Sequence, residues 1–597
     1  MSLFVSSISQ ILQPGVFAVE VAPPLVVEGV ANGYIGYVFQ APWGPVNSAF
    51  LPASQGDLIQ TYWPAGSPHS GTGYLGVVRR KRFAAIMVRI LGGSQGIEPP
   101  VISAVTVLNS PGSTTVSYRV TAVNGAGETI GSQTFTITNS NATLDNRIDW
   151  ATVPGATSYN VYRTAGGSTQ GKIATGVVVL TFTDNATSAS GAIPTTNTTG
   201  WTQAVCYLTD SSGVAVAYIY ALYAGTLPNS ALTAQVAAAS DGNANHFDLI
   251  LTLQNATTGS SSERFPNLDT RTSTQILPNV TTSRLIAAFT AIGTVTTRPQ
   301  NGTYSFAGGS DGSAVAASDY NTGFTQLGLR ADIAVVCTDD CGDSIRTAVN
   351  ADLQAHVDSK TDRIGILQGP PGDTAAQLVT DVASYTDDRI IYMGAWVTVL
   401  DDTGVAQTSP FSTFAATAIV GLGPQESHAW WDDKVTDFYT GVNSILAPQF
   451  STADDGIQQQ FTAAGICVPI RLTSGRYAAL HDRTTSQTLQ KRFMVTRRIK
   501  DYLVKSIKQA LTPWVNGPNL PSNWKVIKIG LDKFFDLEVS RGRLIAVDPV
   551  DIVSQNNTTT QVAGQFLFVV NGKSPSVMED IIPLVNVGPG VVGVTFQ

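Results

Sequence analysis

The sequence predicts a multidomain α+β protein: a discontinuous core with a βαβ mixed sheet, an inserted all-β sandwich, and β-strand arms at both termini. Three observations carry this expectation. Both ends read as strand, residues 99–196 are all-β between proline-bearing borders, and residues 326–470 alternate strand with helix.

The arms come first. Pro14-Gly15 launches Val16-Phe17-Ala18-Val19-Glu20-Val21, with Phe17, Val19 and Val21 on one face, and Pro23-Pro24 ends it. The last residues, Val591-Val592-Gly593-Val594-Thr595-Phe596-Gln597, also run as strand. A strand needs neighbours for its N–H and C=O groups, and neither segment carries the lysine that blunts a free edge. With nothing evident beside them, Val16, Phe17, Val19 and Val21, and Val592, Val594 and Phe596, are read as arms completing another subunit's sheet. Pairing within the same chain is the alternative.

Composition fits a subunit touched on many sides. The 597 residues allow roughly four domains at about 150 residues each. Hydrophobic residues make up 43%, an ordinary share, but charged residues only 13%, about half the usual ~25%. Interface cores are likewise depleted in Lys, Glu and Asp. A net charge of −8 and a pI near 5.2 argue against nucleic-acid binding. No apolar run reaches the ~18 residues of a membrane span, so no membrane insertion is expected. Met1-Ser2-Leu3-Phe4-Val5 lacks the basic start of a secretory signal, which predicts synthesis and folding in a cytoplasm. The four cysteines (Cys206, Cys337, Cys341, Cys467) are too sparse for a disulfide scaffold.

Along the chain, residues 26–98 mix strands (33–39, 84–91) with turns, and 74–82 reads as a short helix bearing Arg79, Arg80, Lys81 and Arg82. Residues 99–196 carry short strands separated by turns such as Asn124-Gly125 and Pro154-Gly155. There the phrase Trp150-x-x-Val153-Pro154-Gly155-Ala156-x-x-Tyr159-x-Val161-Tyr162 resembles fibronectin type III domains, which implies a β-sandwich and no particular function. Residues 197–325 read as Gly-rich α+β. In 326–470, strands 333–337, 363–367 and 389–393 alternate with helices, one marked by Ile345, Val349, Leu353 and Val357 four apart. Residues 471–597 hold an amphipathic helix over 488–511, with Leu489, Phe493, Ile499, Leu503 and Ile507 as its apolar stripe. Lys491, Arg492, Arg497, Arg498, Lys500, Lys505 and Lys508 occupy the rest of that helix. Strands are expected after it at 523–529, 534–539, 543–547 and 565–570.

At this point the chain resembles the tail sheath proteins of contractile-tailed bacteriophages. The matching pieces are Pro14-Gly15-Val16-Phe17, Ala41-Pro42-Trp43-Gly44-Pro45, Val88-Arg89-Ile90-Leu91-Gly92-Gly93, Ala307-Gly308-Gly309-Ser310-Asp311-Gly312-Ser313 with Asp319-Tyr320, Gly369-Pro370-Pro371-Gly372, and Arg497-Arg498-Ile499. Their order across roughly five-sixths of the chain carries the resemblance, and the sandwich is a departure from the small members of the family. The resemblance implies a discontinuous sheath core and a division into an N-terminal arm (1–25) pairing with a neighbour's C-terminal domain, core parts (26–98 and 326–470), the inserted sandwich (99–196), an α+β sheath domain (197–325) and a C-terminal domain (471–597). It implies a virion tail component that stacks with itself, six per ring, around a tail tube protein, with baseplate and neck or terminator proteins at its ends, and that contracts to drive the tube through the host envelope. The sheath of a non-viral contractile injection system would use the same subunit. Within this picture the basic helix is the candidate tube-facing surface.

Enzyme chemistry finds little support. Cys337-x-x-x-Cys341 lacks the second pair of ligands a zinc site needs, and the five histidines stand far apart. There is no HExxH, no G-x-S-x-G, and no Gly-Lys-Ser/Thr after the glycine-rich turns at 308–312 and 369–372. Adjacent carboxylates such as Asp432-Asp433 sit at element ends, where capping explains them. No cofactor or metal is expected. Two readings from other classes stay open: a polysaccharide-active or adhesive surface protein, which should carry a secretion signal, and an α/β enzyme with an accessory domain, which would explain the βαβ run.

Overall fold

The computed structural model describes residues 4–5, 18–19, 29, 33–64, 85–254, 260–269, 282–292, 297–360, 362–400, 405–446, 455–552, 556, 558–578, 583–588 and 591–596. The expected helix at 74–82 lies outside them, as do Val16, Phe17 and Val21.

The core is one seven-stranded sheet assembled from two distant parts of the chain. Its order is Ile466–Cys467, Ile390–Met393, Ile364–Gln368, Ile333–Thr338, Tyr34–Gln40, Ala85–Ile90 and Ala49–Phe50. All neighbours run parallel except the edge strand Ala49–Phe50. Parallel strands need cover on both faces, and these read as near-continuous apolar runs for that reason. One face packs on helix Phe411–Gly421, whose residues 411–420 are all buried, as an all-round apolar helix requires. The other face is covered by Ala317–Leu327, Asp343–Lys360 and Ala375–Val382. In the second of these, Val349, Leu353 and Val357 are buried one turn apart, as the sequence spacing predicts.

Two β-sandwiches interrupt this sheet between Gly93 and Ala317. The first pairs a four-stranded sheet (Gly171–Val177, Ser158–Ala165, Thr114–Val123, Phe135–Ser140) with a three-stranded one (Thr181–Asp184, Asn146–Trp150, Ile102–Val107). Trp150 and Tyr159 stand 5.5 Å apart in its core. A fully buried ion pair, Arg163 to Asp184 at 2.6 Å, is completed by Tyr118 Oη donating to Asp184 at 2.8 Å. The second sandwich, residues 201–311, has two four-stranded antiparallel sheets. Within the stretch 197–325, expected as α+β, these strands come first, with Pro228–Ala231 as the only helix among the described residues of 201–311, and the longer helix Ala317–Leu327 follows and packs on the core sheet. Burial alternates in strands such as Leu232–Ala238, since each strand faces its partner sheet with every second residue.

The C-terminal region differs most from expectation. The basic helix spans Met494–Leu511, and residues 521–540, expected as two strands, are one helix, Pro521–Ser540. Its buried residues Ile527, Gly530, Leu531, Phe534, Phe535 and Glu538 follow a 3.6-residue period. Of the two later strands, only Ala546–Val547 forms, with Gly572–Lys573, and the other reduces to a bridge between Asp551 and Val569. The terminal strand Val591–Phe596 has an intrachain partner: it pairs antiparallel with Pro583–Gly588, Phe596 opposite Pro583. That hairpin supplies one of the two neighbours found missing in the sequence. Near the other end, Phe4–Val5 pairs in parallel with Ala18–Val19.

Candidate assembly surfaces and the joints behind them

Arg89 is a cation within an otherwise apolar, wholly buried strand. Its guanidinium donates to Ala41 O at 2.6 Å, Gly44 O at 2.8 Å and Ala224 O at 3.0 Å, joining the core sheet to the second sandwich. Burial pulls it down to about 10, and nearby Asp311 pushes the other way. Asp311 in turn accepts from Thr226 N at 3.1 Å and from Thr226 Oγ1 at 2.6 Å. Trp43, from the same loop as Gly44, is buried in the second sandwich against Tyr223. Gly92 N donates to Asp311 O at 3.1 Å, and Ser313 N donates to Gly92 O at 3.2 Å. A Cβ on Gly92 would lie 1.8 Å from Ser313 O, so the approach of these two backbones requires glycine. Three segments that the sequence quotes separately, 41–45, 88–93 and 307–313, therefore meet in one joint.

The basic helix does not present all its cations outward. Arg498 is buried and donates to Ile419 O at 2.5 Å, Leu422 O at 2.9 Å and Glu426 O at 3.0 Å. It thus satisfies carbonyls at the C-terminal end of the buried helix Phe411–Gly421, where a cation is favoured. Arg497 pairs with Asp501 on its own helix at 2.5 Å and with Asp388, beside a core strand, at 3.5 Å, and Asp501 also binds Arg389 at 2.9 Å. Lys505 Nζ donates to Ile333 O at 3.0 Å, at the end of a core strand. These three are corrections to a uniformly surface-facing reading: they bolt the helix to the core. Leu489, placed in the apolar stripe by spacing, is 68% exposed and precedes the helix. Lys491, Lys500 and Lys508 are exposed, and Arg492 lies half-buried over the Phe493 ring.

The start of the helix rests on a buried pair. Asp482 Oδ2 accepts from Val495 N at 3.0 Å, while its Oδ1 lies 2.8 Å from Nδ1 of fully buried His428. Burial opposes the charge on His428, but Asp482 and Cys467 outweigh it and raise the imidazole to about 9. Asp432, one of the adjacent carboxylates, caps the short helix Asp433–Thr436 through Val435 N. Among the described residues, no three His, Cys, Asp or Glu side chains gather to hold a metal ion, and no helix is long and apolar enough to cross a membrane.

Exposed apolar side chains concentrate in the C-terminal region, where Val515, Leu520, Ile529, Leu537, Ile545 and Val562 all face out. Trp430 and Trp431, about half exposed, stand side by side on the loop after the buried helix. Sequence reasoning overlooked these surfaces and Arg89. An arginine in the middle of Ile86-Met87-Val88-Arg89-Ile90 was the available signal, because an ion inside a buried strand must have a built partner.

No protein-family model matches this chain, and no curated protein matches it. Solved structures do. The crystal structure of the sheath tail protein of Desulfitobacterium hafniense aligns with a TM-score of 0.50 at 10% identity, over 94% of this chain and 100% of that one. The sheath tail protein of Listeria innocua aligns with a TM-score of 0.49 at 11% identity, over 92% and 96%. The helical sheath of the anti-feeding prophage in its contracted state aligns with a TM-score of 0.40 at 18% identity, over 48% and 78%. The fold is that of a tail sheath protein. At this identity the likeness is one of architecture.

Proposed function

We propose that this chain is the structural subunit of a contractile tail sheath, polymerising with itself as stacked six-membered rings around a tail tube and contracting to drive that tube through a cell envelope. The observation that carries this reading is the shared fold over nearly the whole of both chains. The low charge content and the exposed apolar side chains of the C-terminal region support it, because such surfaces mark contacts with other proteins. Baseplate, neck and terminator proteins are its proposed partners at the ends of the polymer, and its place is the tail. A phage tail and a non-viral injection system would use the subunit in the same way.

In this reading the arms link subunits by strand addition, through Val16, Phe17, Val19 and Val21 at one end and Val592, Val594 and Phe596 at the other. Four to six main-chain hydrogen bonds at about 1 kcal/mol each give several kcal/mol per junction, small singly and large along a polymer. The tube-facing role narrows to the exposed Lys491, Lys500 and Lys508, since Arg497, Arg498 and Lys505 are engaged within the subunit and Arg492 lies over the Phe493 ring. Exposed pairs worth about 0–1 kcal/mol suit a contact that must release.

The test is negative-stain electron microscopy of the full chain beside a version lacking residues 1–22. Striated hollow tubes from the first and monomers from the second support a strand-linked sheath. Monomers from both at high concentration refute it. For the tube contact, K491E, K500E and K508E combined should abolish co-assembly with the tube protein, and undiminished co-assembly overturns that assignment.

A further inference from the structure

A narrow cleft runs between the core sheet and the basic helix, lined by Ala334, Asp362, Ile419, Tyr502 and Lys505 among others. Two described glycines of the N-terminal segment touch opposite walls of it. At Gly33, with φ of +81°, an added Cβ would lie 2.8 Å from Ala334 Cβ and 2.9 Å from Asp332 O. The next residue, Tyr34, donates its N–H to Asp332 O at 2.8 Å. At Gly29 an added Cβ would lie 1.9 Å from Tyr502 Oη and 2.9 Å from Tyr502 Cζ. Four residues span at most about 14 Å, so both walls must stay within that reach of each other while both contacts hold.

Tyr502 is not a loose side chain that can yield. It is buried, its hydroxyl donates to Glu538 Oε1 at 3.2 Å and accepts from Arg543 Nη1 at 2.5 Å, and the Arg543 guanidinium lies 4.7 Å from its ring centre. Glu538 is itself fully buried and also binds Arg541 at 3.0 Å. The hydroxyl that Gly29 sits against is therefore locked in an ion-pair cluster reaching both C-terminal helices.

We propose that Tyr502, Gly29 and Gly33 form a strap that fastens the root of the N-terminal segment across the seam between the core and the C-terminal helices. Calling that segment an intersubunit arm rests on the sheath reading, whereas the fastening does not.

Hydrogen exchange on the full chain tests the fastening separately from assembly. Gly29→Ala should speed exchange of the Tyr34 amide and of the 494–511 helix tenfold or more. Gly125→Ala, where nothing lies within 4 Å of the added Cβ, should leave both unchanged. Because Tyr502→Phe removes the colliding hydroxyl, G29A should cost several-fold less in the Y502F background than in the native one. If G29A fails to fold, recovery of a folded chain by G29A/Y502F supports the strap in the same way. Native-like exchange in G29A, or an effect of G29A equal in both backgrounds, overturns it. Tube formation, scored on the same samples, reports on the sheath reading alone.

Discussion

Replacing Arg89 with methionine keeps the length and apolar bulk of the side chain and removes its three hydrogen bonds. Hydrogen bonds from a charged donor contribute about 1.5–3 kcal/mol each, so the contacts to Ala41 O, Gly44 O and Ala224 O represent roughly 4–9 kcal/mol. Against this stands the cost of burying the guanidinium. Burial, only partly offset by Asp311, holds the guanidinium down to about 10, which corresponds to about 3 kcal/mol. The balance predicts that R89M loses about 1–6 kcal/mol, concentrated at the joint between the core sheet and the second sandwich. Urea unfolding should show the loss in its first transition, and hydrogen exchange should localise it to residues 41–46 and 224–226. Arg89→Lys should recover little, because a single ammonium cannot reach three carbonyls with fixed forked geometry. An R89M chain within about 0.5 kcal/mol of the native one, with those loops as protected as before, would refute the view that this side chain holds the joint.

Two further outcomes follow from buried groups. His428 is raised from 6.5 to about 9, so its stabilising pair with Asp482 is complete below pH 6.5 and is lost as pH rises through 9. Stability measured by urea unfolding should therefore fall by about 3 kcal/mol over that window and stay flatter in His428→Gln; equal pH slopes in the two proteins would sink the assignment. All four cysteines are buried, and burial pushes Cys206 and Cys341 up to about 12. The native chain should resist maleimide at neutral pH and take up four equivalents in denaturant; rapid native labelling would show that these thiols are reachable.

The core was legible because its pattern is redundant. Ile333–Thr338 and Ile364–Gln368 are short apolar runs flanked by helices, and the interval of four between Val349, Leu353 and Val357 admits one interpretation. Helix Pro521–Ser540 was misread because Trp524, Val526, Ile527, Ile529, Phe534 and Phe535 favour strands locally, while tertiary packing selects the helical face. Pro521 at the first helical position was the available contrary signal. Charge alone did not show which side of the basic helix faces inward. Arg498 lies on the face of Val495, Ile499 and Tyr502, and that face, rather than its charge, decides where it goes. Nor does sequence distance reveal a joint: Arg89 and Ala224 are 135 residues apart and meet through folding of the intervening sandwich.

The first sandwich leaves and re-enters the body at one spot. Gly96 N donates to Trp201 O at 2.9 Å, Trp201 N donates to Ser94 O at 3.2 Å, and Asn197 Nδ2 donates to Ile97 O at 3.0 Å. The chain is thus closed at the neck before the module begins, and everything beyond that closure is an appendage on a sealed stem. A module with neighbouring termini exchanged at this neck would add little loop-closure entropy, since that cost grows only slowly with length. The neck is thus a grafting port that displays one passenger on every copy of the subunit.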